Sequence, residues 1–127
     1  MQSDELLFRV CLLPQEFRRR GDVSMIDLVR DSGYLRSPNA VTEGDLERYF
    51  RGNPDAIDAW LLESMDQRCA PAWYLVEPSD HAGQWTVGYL TTSGQRTREA
   101  LYGDGTKACA SFVKHWLGSI GGYLSDG

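Results

Sequence analysis

The stretch Asn53 to Val76, NPDAIDAWLLESMDQRCAPAWYLV, decides the fold, because it reads as a sharply started helix, a short turn and an aromatic strand. Asn53 is able to accept a hydrogen bond from the free amides of a first helical turn, and Pro54 stands where a missing N–H costs nothing. The helix therefore starts at Pro54. Ile57, Trp60, Leu61 and either Ser64 or Met65 recur at helical spacing as an inward stripe, leaving Asp55, Asp58, Glu63 and Asp66 on the flanks and outer face. Pro71 blocks continuation, and Trp73, Tyr74, Leu75 and Val76 favour extended backbone.

Upstream, the pattern stays helical. Ser3 caps a first helix with an apolar stripe of Leu6, Leu7, Val10 and Cys11, and Pro14 either kinks it or begins a second turn reaching Phe17, ending near Gly21. Ser24 with Asp27, and Thr42 with Asp45, have capping-box spacing. The first box opens a short helix stopped by Gly33. The second opens a helix with Leu46, Tyr49 and Phe50 inward, ended by Gly52 just before Asn53 restarts the chain at a corner.

Downstream of Pro71 the period changes to two. Ala72 to Glu77, Gln84 to Thr91 and Arg96 to Tyr102 read as three strands of an antiparallel meander, joined by the loop at 78–83 and the turn at 92–95. Trp85, Val87 and Tyr89 share one face of the middle strand, while Thr86, Gly88 and Leu90 share the other, so one side of the sheet is covered and one is wetter. Gly103 to Thr106 turn the chain into a last helix, whose Ala108, Cys109, Phe112, Val113, Trp116, Leu117 and Ile120 make a wide stripe suited to covering that sheet. Gly121-Gly122 stops it before a loose tail. The expected class is α+β: N-terminal helices, a three-stranded antiparallel meander and a C-terminal helix packed on the sheet, in a single domain over residues 1–127.

Charge is informative once divided along the chain. Residues 1–41 and 67–127 are each neutral, whereas residues 42–66 hold seven acids against Arg48 and Arg51, so the whole formal charge of -5 sits in one segment. Two consecutive acidic helices there read either as a solvated surface, with acids near helix starts favoured by the macrodipole, or as a face that meets a basic protein partner, and either way they repel nucleic acid. Arg18, Arg19 and Arg20 are the one basic cluster, too small to reverse that expectation. The N-terminal segment lacks the basic start of a signal peptide and breaks its apolar run at Pro14, and no stretch has transmembrane length, so a cytoplasmic protein without membrane contact is expected. Cys11, Cys69 and Cys109 fall outside disulfide and zinc spacings and read as free thiols.

The residue inventory does not assemble a catalytic centre. His81 in the first sheet loop and His115 on the last helix have no nucleophile or metal-ligand companion at a diagnostic spacing. Asp55 and Asp58 are three apart on an acidic helix, a commonplace arrangement. Gly103-Asp104-Gly105-Thr106 lacks Walker spacing and reads as a strand-to-helix turn. No enzyme, cofactor or metal is expected. Trp85, following the loop that holds Asp80 and His81, is a candidate interface anchor at the sheet edge, and Asp66 with Arg68 reads as a junction pair.

One resemblance rests on Asn53-Pro54, Trp60-Leu61, Ser64, Asp66, Arg68 and Trp73-Tyr74, followed by Ala108-Cys109 and Phe112. With these residues the chain, from about Ser24 onward, resembles small bacterial immunity proteins of polymorphic toxin systems (Rhs, contact-dependent and type VI secretion). The pattern is made of fold-forming residues and carries no catalytic signature. It implies a protein that binds and neutralises a co-encoded toxin domain, here one with a basic face. The contact residues expected for this chain are Asp55, Asp58, Glu63, Asp66, Asp80, His81 and Trp85. An adaptor or regulatory domain shares the same signature, and a small enzyme is the third alternative.

Overall fold

The computed structural model of the protein describes residues 3–22, 24–36, 38–66, 72–78 and 83–126. Five helices come first: α1 (Ser3–Cys11), α2 (Leu13–Arg20), α3 (Met25–Ser32), α4 (Glu43–Gly52) and α5 (Pro54–Asp66), with short 3-10 turns at Tyr34–Arg36 and Pro38–Ala40 between α3 and α4. They are followed by β1 (Ala72–Val76), β2 (Trp85–Leu90), β3 (Arg96–Tyr102) and α6 (Gly105–Asp126). The class is α+β, as expected.

Local chemistry explains the boundaries. Pro14 occupies the first turn of α2, where its missing N–H breaks the first helix into two, and Gly21 closes α2 in the left-handed conformation. Thr42 and Asp45 complete a reciprocal capping box at α4, whereas at α3 Ser24 accepts the Asp27 amide. The α4–α5 corner departs from expectation. Asn53 uses its side-chain amide to bond the Tyr49 carbonyl at 2.9 Å, and its backbone carbonyl accepts the Ala56 amide at 3.0 Å. Asn53 thus finishes α4 with its side chain and starts α5 with its backbone. Helix α6 also overrides its expected stop, running through Gly121 and Gly122 to Asp126. A glycine costs a helix about 1 kcal/mol relative to alanine, which does not break it unless the residue turns left-handed.

The sheet has order β1-β2-β3, with both pairs antiparallel. Trp73 lies opposite Tyr89, and Leu75 opposite Val87, on the face that α6 covers. Tyr74 crosses Gly88 on the other face, where an added Cβ would collide with the tyrosine ring. A bulge between Val87 and Tyr89 is matched on β3 by Arg98, held at φ 56°.

The core lies where α6 meets everything else. Trp60, fully buried, packs edge-on against Trp116 at 5.0 Å and Phe112 at 6.2 Å, and its indole N–H donates to the Cys11 carbonyl at 3.0 Å. One side chain thereby joins α1, α5 and α6. Lys114 donates to the Tyr34 hydroxyl at 2.9 Å and to the Val41 carbonyl at 2.7 Å, fastening the segment before α4 to α6. Ser64 ties α5 to β1: its hydroxyl accepts the Leu75 amide at 2.7 Å and donates to the Leu75 carbonyl at 3.1 Å. Ser64, rather than Met65, is therefore the inward residue of that turn, and it satisfies backbone groups on the outer edge of β1.

Candidate functional site

Two helices carry the charge excess, and they handle it differently. On α4, Asp45 pairs with Arg48 at 3.0 Å and Glu47 with Arg51 at 2.9 Å, so both bases of residues 42–66 are used within the helix. The Thr42 amide, bonded to the Asp45 carboxylate in the capping box, is the main force holding that carboxyl below its usual range, with Arg48 adding to it. Helix α5 contains no base. Asp55 and Asp58 are exposed on it and form no ion pair with a described residue.

Magnitudes show that these acids do little for the helix. Asp55, in the first turn, gains about 0.3 to 1 kcal/mol from the macrodipole, but that effect fades within a turn. Asp58 lies beyond it and repels Asp55 across three residues, by about 0.2 to 0.5 kcal/mol. Asp66 is the last residue of α5, where the macrodipole disfavours a negative charge. Asp55, Asp58 and Asp66 taken together are close to neutral for helix stability.

The other expected contact residues separate from this face. Glu63 is half-buried on the flank of α5 and is engaged with a neighbour. The side chain of Asp66 lies outside those described, as do residues Asp80, His81 and Arg68. Trp85 does not stand at a sheet edge, because it opens the central strand opposite Tyr102. Its indole lies so close over Gly105 that a Cβ there would come within 2.7 Å, which makes Trp85 a packing residue at the start of α6. The turn before α6 is structural, as its spacing indicated: the Asp104 carboxylate accepts the Thr106 amide at 2.8 Å. His115 is exposed on α6 and stacks on Trp73 with centroids 4.0 Å apart.

Charge patterning alone passes over the apolar part of the same α5 surface. Leu62 and Met65 are 45% and 68% exposed, yet their spacing from Asp55 and Asp58 is three, four and three residues, which is one helical stripe. The signal is present in the spacing, but in sequence Met65 competes for the inward stripe that Ser64 fills.

Two further surfaces have their charges balanced internally. A cleft of ≈ 360 Å³ between α1–α2 and α3 has Leu12, Leu13 and Leu28 in its lining, with Arg9 paired to Glu5 and Glu16 to Arg19 around it. On the uncovered sheet face Tyr74 donates to Glu99 at 2.8 Å beneath the Arg96 guanidinium. Burial, reinforced by that bond, pushes the Tyr74 phenol up to about 12. Among the described residues, no group of three or more His, Cys, Asp or Glu side chains is arranged to hold a metal ion, and no helix is long and apolar enough to cross a membrane. Comparison with protein-family models, curated proteins and solved structures gives no match.

Proposed function

We propose that this chain is an immunity protein that neutralises a co-encoded bacterial toxin by tight association in the cytoplasm, without catalysis of its own, and that its acidic helices meet a basic face of the toxin. The observation that carries this reading is the confinement of the entire net charge of -5 to α4, α5 and their boundaries, with Asp55 and Asp58 exposed on α5 and in no ion pair with a described residue. An excess of negative charge gathered in one segment steers an oppositely charged partner and raises its association rate. The immunity class itself rests on the resemblance of the Asn53 to Phe112 pattern. Expressing the product of the adjacent gene alone and together with this chain tests the proposal. Growth arrest relieved by co-expression, with the two proteins eluting together, is the expected result. Arrest that persists with soluble chain present, or substrate turnover abolished by one substitution at Asp55, Asp58 or His81, would refute it.

A further inference from the structure

We infer that Leu62 and Met65 are the anchor of the toxin contact, inserted into an apolar groove of the partner whose one end is rimmed by Lys or Arg facing Asp55 and Asp58. The inference rests on the binding reading above and names the residues and partner chemistry that carry it.

At about 100° per residue, positions 55, 58, 62 and 65 fall within an arc of about 80° and span about 15 Å along the axis. The opposite side of α5 is already filled, since Ile57, Trp60, Leu61 and Ser64 are all buried against the rest of the fold. Leu62 and Met65 are thus surplus to the core, at 45% and 68% exposure. Single exposed apolar side chains are ordinary, but two on successive turns, in line with two carboxylates that pair with no described residue, make a ridge that is acidic at its N-terminal end and apolar at its C-terminal end. That polarity dictates the partner: a groove that takes Leu and Met side chains, with positive charge displaced about 10 Å towards the start of α5.

The competing patches lack this combination. Phe8 is exposed but leans on Tyr49 at 5.5 Å, and Val76 and Leu101 flank a sheet face whose Glu99 is bonded to Tyr74.

The test uses the full-length chain and, as probe, the purified product of the adjacent gene, with binding followed by stopped flow. Leu62→Ser with Met65→Ser should raise the dissociation rate on the order of 30-fold and leave the association rate nearly unchanged. Asp55→Asn with Asp58→Asn should instead slow association at low salt and flatten its salt dependence. A benzophenone amino acid at position 62 or 65 should crosslink to the probe, with positions 8 and 101 as controls, which keeps the question answerable if the double serine variant misfolds. Wild-type dissociation in the serine variant, or crosslinks from the control positions alone, would overturn the anchor and leave the binding reading intact. Failure of the wild-type chain to bind the probe removes both. A dimer of this chain dissolved by the serine pair would overturn the inference in favour of self-association.

Discussion

Replacing Ser64 with Ala should destabilise the protein by about 2 to 3 kcal/mol, although alanine is the better helix former. Ser64 is 9% exposed, and its hydroxyl both accepts the Leu75 amide and donates to the Leu75 carbonyl. The alanine variant would leave that amide and carbonyl unpaired on the outer edge of β1, at about 1.3 to 1.8 kcal/mol each, the lower part of the range for a buried group because water reaches an edge strand once the hydroxyl is gone. Helix propensity returns only about 0.5 kcal/mol, so the orphaned groups win. For 127 residues the entropy of unfolding translates 1 kcal/mol into about 4 °C, giving a fall in Tm of roughly 8 to 12 °C. Urea titration should show the same loss at unchanged slope, and the Leu75 amide should lose hydrogen-exchange protection. Ser119→Ala, an exposed α6 control, should be neutral or slightly stabilising. A Ser64→Ala variant within 0.5 kcal/mol of wild type, with Leu75 still protected, would show that α5 holds β1 through apolar contact alone.

Three other outcomes follow from the packing. Trp116→Ala should cost about 3 to 5 kcal/mol by denaturant titration, because the ring is buried edge-on against Trp60; an unchanged Tm would reject that packing. Cys11 and Cys109 are buried, and burial pushes the first thiol up to about 12 and the second well above its usual range, so Ellman's reagent at pH 8 should leave both unmodified until urea unfolds the chain. Tyr74 should ionise after most of the six tyrosines in a titration of phenolate absorbance, and Tyr74→Phe should delete that late step. Since its folded pKa lies above the unfolded value, its contribution to stability is complete below pH 10 and is lost as pH rises from 10 through about 12.

The parts of the fold legible in the sequence are those fixed by neighbours close along the chain. Thr42 with Asp45, Pro54, and the alternation from Trp85 to Leu90 each declare themselves locally, and α6 follows from its wide stripe. What escapes depends on distant partners. Nothing near Ser64 announces that Leu75 will present an open edge to it, and the 3-10 turns after α3 are held by Lys114, some 80 residues away in sequence from Tyr34. Trp85 misleads for a related reason: a tryptophan beside a loop reads as an anchor until Gly105 is seen to make room for its ring. In the site, Asp55 and Asp58 emerge from charge counting, whereas Leu62 and Met65 become visible only once the buried side of α5 is complete without them.

Trp60 connects an early helix to a late one, and this imposes an order on synthesis. Its indole bonds Cys11 but rests on Phe112 and Trp116, which leave the ribosome well after it. At about 5 to 20 residues per second, the interval from the end of α5 to the start of α6 is about 2 to 8 seconds. Throughout it, the apolar faces of the first five helices have no lid. The nascent chain is therefore most vulnerable to capture by chaperones or by other nascent chains between the completion of α5 and the arrival of α6, and a chain from which α6 is deleted should aggregate rather than leave a smaller folded protein.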